Sequence, residues 1–170
     1  MNKLVNESLE DILRPKSKEE IEQALSKLTP NDMLIKASEF SLINFVKKAL
    51  ELGADVHDWA LRLASVNGHV EVVKVLLETG ANVHANYDGA LRYASINGHV
   101  EVVKVLLEVG ANVHANNDAA LRVASLNGHV EVVKVLLGAG AVVHAYNDLA
   151  LQWASENGHT EVVNLLKKYM

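Results

Sequence analysis

Eight histidines in a chain of 170 residues are the side chains that most invite chemistry, because imidazole is both a metal ligand and a general base near neutral pH. They form two series. His69, His99, His129 and His159 each close an Asn-Gly-His triplet, while His57, His84, His114 and His144 each follow a valine. Serines and aspartates travel with them at fixed spacing: Ser65, Ser95, Ser125 and Ser155, and Asp58, Asp88, Asp118 and Asp148. A hydrolytic Ser-His-Asp triad could be composed from this set, but it would have to exist in several copies, whereas an active site is a singular constellation in one pocket. A shared metal meets a geometric obstacle. Equivalent residues of stacked helical units stand roughly 8 to 10 Å apart, and zinc needs each ligating nitrogen at about 2.0 to 2.1 Å. These histidines are therefore expected to be framework, hydrogen-bonded in loops, with a pairing between the two series inside one unit left open. No cysteine is present, which removes disulfides, thiolate metal sites and cysteine nucleophiles and points to a reducing compartment, the cytoplasm. Gly98 follows a helical pattern rather than a strand, so no phosphate loop is formed. The expectation is a protein that is not an enzyme, with no metal and no cofactor.

The same regular spacing defines the elements that carry these residues. Gly80, Gly110 and Gly140 open segments that overlay almost letter for letter every 30 residues, the mark of a solenoid. The unit GANVHANYDGALRYASINGHVEVVKVLLEV differs from its successor at six places: Tyr87/Asn117, Gly89/Ala119, Tyr93/Val123, Ile96/Leu126, Glu108/Gly138 and Val109/Ala139. Within each unit the pattern predicts helix, turn, helix. Asp88 can cap a first helix over 90–96 by accepting from its free amides, Asn97-Gly98-His99 breaks it at a glycine able to turn left-handed, and a second helix runs from 100 to about 108. Val102, Val103, Val105, Leu106 and Leu107 make that second helix too apolar to stand in solvent, so neighbouring units must cover it.

The string NGHVEVVKVLLE followed by GA-x-VH resembles the second helix and following turn of ankyrin repeats, and ALRYAS sits where that family has T-P-L-H-x-A-A. The resemblance spans residues 30–170 and implies an all-α, ankyrin-type helix-turn-helix solenoid. The 30-residue period is shorter than the family's 33, and the deficit falls between Val83 and Leu91, so the projecting β-hairpin finger should be stunted or absent. Arrays of this short-fingered kind are similar to those of large DNA viruses and intracellular bacteria, which would place the protein in a host cytoplasm. Five units are expected: a divergent first repeat over 30–55 in which Phe40, Ser41 and Leu42 lose the Asn-Gly-His turn chemistry, then 56–79, 80–109, 110–139 and 140–170. The last carries Glu156, Thr160, Asn164, Lys167 and Lys168 at positions that are apolar or differently charged in earlier units, as a terminal cap requires, which places Met170 near the natural end. Residues 1–29 form an N-terminal extension. Ser17 and Glu20 fit a capping box opening a helix to about 28, with Ile21, Ala24, Leu25 and Leu28 on the face that would shield the first repeat or dock elsewhere.

Function should lie where the copies differ. Trp59, Leu63 and Val66 are spaced as one helical stripe, repeated by Gly89, Tyr93 and Ile96, by Ala119, Val123 and Leu126, and by Leu149, Trp153 and Glu156. The resemblance implies that the first helices and the loops before them line a concave face that grips partners, bordered by Asn86, Tyr87, Asn116, Asn117, Tyr146 and Asn147. Both tryptophans belong to this variable set, and Trp and Tyr are the residues that dominate binding hot spots, contributing about 2 kcal/mol or more when covered. Packing of Trp59, Tyr93 and Trp153 between helices as spare core is the competing expectation. Arg62, Arg92 and Arg122, with the pairs Glu71/Lys74, Glu101/Lys104 and Glu131/Lys134, are expected on solvated helix faces. With a net charge of -5 and cations dispersed along the chain, no basic stripe for nucleic acid is expected, and no apolar run long enough for a membrane. The function expected is that of a monomeric module binding a protein or peptide; the alternative is a structural or consensus-designed scaffold without a dedicated partner.

Overall fold

A second helix made of valine and leucine on most sides cannot stand alone, and the chain satisfies it by stacking. The computed structural model describes residues 18–55 and 58–170. After α1 (Lys18–Leu25) come five helix pairs: α2 (Pro30–Glu39) with α3 (Ile43–Glu51), α4 (Asp58–Val66) with α5 (Val70–Glu78), α6 (Ala85–Ile96) with α7 (Val100–Glu108), α8 (Ala115–Leu126) with α9 (Val130–Gly138), and α10 (Ala145–Glu156) with α11 (Thr160–Lys167). Among the described residues there is no strand. No finger is formed among them, and a short turn takes its place. Val72, Val73 and Leu76 of α5 and Val102, Val103 and Leu106 of α7 are fully buried, and one continuous core runs from Met33 to Leu166.

The first helices contribute smaller side chains. Ala60, Ala64 and Ser65 of α4, Ala90, Ala94 and Ser95 of α6, and Ala120, Ala124 and Ser125 of α8 are buried, and small residues let helix axes approach closely. The first helices accordingly pack more extensively on one another than the second helices do. An array tighter along one row than the other must curve, with the tighter row inside. α4, α6, α8 and α10 form that more extensively packed row.

Helix ends follow the glycines. The amide of His99 bonds to the carbonyl of Ala94 across Gly98, whose φ is 74°, the Schellman arrangement that only glycine adopts without strain. The divergent first pair keeps this geometry despite losing the glycine: Ser41 takes φ 59° and the Leu42 amide still reaches the Ala37 carbonyl. α1 ends at Leu25, three residues short of the expected helix, and Ser17 lies outside the described residues. Leu25 is buried and Leu28 packs on the core. Thr29 then caps α2, accepting from the Asp32 amide at 3.2 Å with Pro30 in the first turn.

The described histidines of both series join units or loops, and His57 lies outside the described residues. The Nε2 of His69, His99, His129 and His159 donates to the carbonyls of Glu39, Val66, Ile96 and Leu126 at 2.8 to 2.9 Å, tying each unit to the end of the preceding first helix. The other series turns to aspartate: His84, His114 and His144 donate through Nδ1 to Asp88, Asp118 and Asp148 at 3.0, 3.1 and 2.6 Å. Asp88, Asp118 and Asp148 are not helix caps of the expected kind. Asp88 and Asp118 have left-handed backbone, are buried, and accept from the amides of Asn112 and Val142 in the next unit at 2.8 and 2.9 Å. Each carboxylate is thus a staple across a repeat boundary.

Candidate partner-binding face

Three consecutive left-handed residues kink each of the last three first helices just after its first residue. Asn86, Tyr87 and Asp88 have φ of 54°, 57° and 54°, and 116–118 and 146–148 repeat them. L-residues are disfavoured there by roughly 1 to 2 kcal/mol each, with Asn and Asp the most tolerant, so the asparagines and aspartates fit while Tyr87 and Tyr146 do not. This turn leaves its first two side chains in solvent: Tyr87, at the centre of its triplet, is 81% exposed, and Tyr146, first in its triplet, is 60% exposed. In the intervening unit Asn117 occupies the place of Tyr87 and Asn116 that of Tyr146, both exposed.

The expected stripe lies on the first helices, but its members Gly89 and Ala119 are buried. Trp59 is 51% exposed; Leu63, Val66, Tyr93, Ile96, Val123, Leu126, Leu149 and Trp153 are half-buried, and none of them belongs to the continuous core. Their backbones do structural work as well, since the carbonyls of Val66, Ile96 and Leu126 receive the histidines described above.

What joins these side chains is a set of arginines that the sequence reading placed on solvated faces. Arg62 lies 3.6 Å from the Trp59 ring and 5.2 Å from that of Tyr93 in the next unit, and Arg92 lies 4.7 Å from Tyr93. Arg122 sits 4.8 Å from Tyr146 and 6.0 Å from Trp153, and donates to the carbonyls of Asn117 and Asn116 at 3.0 and 2.8 Å. The structure therefore gathers two clusters, Trp59–Arg62–Tyr93–Arg92 and Arg122–Tyr146–Trp153 with the 116–117 carbonyls. Cations dispersed along the sequence share one side of the solenoid. The clue available beforehand was the arginines' place beside the variable aromatics, three residues after Trp59 and one before Tyr93.

Other groups are quieter. The Glu71–Lys74, Glu101–Lys104 and Glu131–Lys134 pairs form on the exposed second helices at 2.9, 2.7 and 2.6 Å, and Glu71 holds the Lys74 ammonium above its ordinary range through hydrogen bonding first and charge second. A crevice between α5 and α7, lined by Leu77, Ala81, Val83, Val105 and Val109, lies away from the aromatic row. Among the described residues no cluster of three metal-ligating side chains occurs, and no helix is long and apolar enough to cross a membrane.

The fold defines a helical repeat solenoid whose first helices carry a row of aromatic and arginine side chains. A family model described as ankyrin repeats (3 copies) matches residues 33–117 and 110–170, and the chain belongs to the ankyrin repeat family. Comparison with curated proteins returned no match. Ankyrin repeats are generally protein-protein interaction modules that are typically not enzymes.

Proposed function

We propose that this chain is a recognition module that grips a protein or peptide partner along its concave side, with Trp59, Tyr87, Tyr93, Tyr146 and Trp153 as anchors and the half-buried stripe residues between them. The observation that carries this reading is the placement of Tyr87 and Tyr146, large aromatics held in solvent by a backbone conformation that disfavours them. Strain of this kind persists where surrounding structure over-determines it and clusters at sites of function. Aromatics on a preformed scaffold supply contact area with little ordering cost. The module works as a monomer, without cofactor, metal or nucleic acid, and its cysteine-free sequence suits the cytoplasm.

A quantitative capture experiment tests it: the native chain is compared with a Trp59→Ala/Tyr93→Ala/Trp153→Ala variant of equal helicity by circular dichroism. The expected result is a partner retained by the first and lost by the second. Equal capture by both would move the site to another surface, and no saturable partner would leave a structural array.

A further inference from the structure

The arginine ladder carries more than contact area. Arg62, Arg92 and Arg122 stand at one repeat position on three successive first helices, and among the described residues none has a carboxylate within ion-pair distance. Four lysines do better: Lys36, Lys74, Lys104 and Lys134 each hold a glutamate at 2.6 to 2.9 Å. The acids that helical spacing would offer Arg92 and Arg122 are committed elsewhere, and Asp58, four residues before Arg62, is exposed and forms no ion pair with it. Asp88 and Asp118 lie four residues before Arg92 and Arg122, the spacing of a helical ion pair, but the left-handed turn directs them onto His84 and His114 and onto the next unit's amides.

The guanidiniums are meanwhile oriented. Stacking on Trp59, Tyr93, Tyr146 and Trp153 holds them against ring faces and leaves N–H edges for planar bidentate pairing. Arg62 offers one terminal nitrogen to the Tyr93 hydroxyl at 3.5 Å, and its buried Nε has no partner. Arg122 uses two nitrogens on loop carbonyls and retains the third. Arg92 has a ring contact and no hydrogen bond. At the fourth rung Gln152 replaces arginine and donates to the Asn147 carbonyl, so the ladder has three cationic rungs.

We infer that the concave face selects an acidic extended peptide, its carboxylates recurring every third residue to meet Arg62, Arg92 and Arg122 and its intervening apolar side chains meeting the aromatics. This rests on the recognition reading above. The register follows from two pitches. Packed helices place the rungs roughly 8 to 10 Å apart, and a polyproline-II segment returns a side chain to the same face every third residue after roughly 9 Å. Charge decides the class of ligand. Single-strand nucleic-acid binders line a continuous positive groove, whereas here one cation stands on each rung.

The test is selection of random-sequence displayed peptides on the full chain, followed by titration of a selected synthetic peptide with Trp59 and Trp153 fluorescence as the readout. The expected result is enrichment of Asp and Glu at three-residue spacing over the starting library. Arg92→Gln, or amidation of the peptide's central acid, should weaken binding roughly tenfold, as loss of one charge-assisted contact does, and the two changes should not add. If the peptides show no acidic pattern or are indifferent to Arg92→Gln, yet are lost with Trp59→Ala, the acidic-ligand inference is overturned and concave recognition stands. Peptides indifferent to both substitutions, or no selection at all, overturn both readings. An oligothymidylate that displaces the peptides at lower concentration than they bind overturns the inference in favour of nucleic acid.

Discussion

Tyr87 is the residue whose backbone and side chain are most at odds. At φ 57° and ψ 56° its Cβ crowds the following carbonyl, while its ring is almost wholly in solvent and recovers little by packing. Asn117 holds the same backbone, φ 55° and ψ 58°, in the next unit. Tyr87→Asn should therefore raise the unfolding free energy by about 1 kcal/mol, measured by urea denaturation, while weakening capture of the concave partner. An unchanged or lowered stability would show that the ring has a structural partner and that the strain argument is wrong. The exposed position of this tyrosine was legible from its variability between copies; the strain was not, because Asn-Tyr-Asp reads as an ordinary loop until three successive dihedrals are known. The arginines show the converse. One arginine per 30 residues looks dispersed in sequence, and only the stacking of first helices aligns Arg62 with Tyr93 and Arg122 with Trp153.

The joints between units give two comparisons in which the array supplies its own control. A Cβ added at Gly98 would stand 2.8 Å from His129 Nδ1, whereas one added at Gly158, with φ 73° against 74°, meets nothing within 4 Å. Both Gly→Ala changes carry the same backbone strain, so Gly98→Ala should cost at least about 1 kcal/mol more than Gly158→Ala in urea unfolding, the increment expected of overpacking. In a His129→Ala background the increment should vanish; its persistence would mean that the ring is not the obstacle. The aspartate staples offer the second comparison. Asp118 bonds both His114 and the Val142 amide, while Asp148 bonds His144 alone and is 42% exposed at the side chain. Replacing either by alanine places a residue ill-suited to left-handed backbone, a shared cost that cancels, so Asp118→Ala should destabilise by about 1 kcal/mol more than Asp148→Ala. Equal losses would deny the staple. Helix order and the Asn-Gly-His turns were legible because apolar periodicity and glycine have local causes. The aspartates were read as caps because Asp before an apolar helix usually is one, and the residue that overrides it, the next unit's amide 24 positions away, is invisible to local pattern.

At the scale of the whole molecule, each unit touches its neighbours through the same few contacts, so stability should be close to a sum of unit and interface contributions. Deletion of residues 110–139 makes this testable, because it removes α8 and α9 in register. In the shortened chain His159 can donate to the Ile96 carbonyl as His129 does, its ring can rest against Gly98 in place of Gly128, and Asp88 can accept from the Val142 amide in place of that of Asn112. Every severed joint thereby has a chemically equivalent replacement. The variant should fold cooperatively with unchanged helicity per residue by circular dichroism, a lower urea midpoint, and an m-value reduced roughly in proportion to the surface no longer buried. A chain that aggregates, or that melts in two separated steps, would show that the units are not interchangeable and that the six differences between neighbouring copies specify order along the array. With the fold retained, Tyr146 would face Arg92 rather than Arg122 and two cationic rungs would remain of three. An acidic peptide matched to three rungs should then bind the shortened chain more weakly than one matched to two, and the reverse preference in the full chain ties the length of the groove to the number of its repeats.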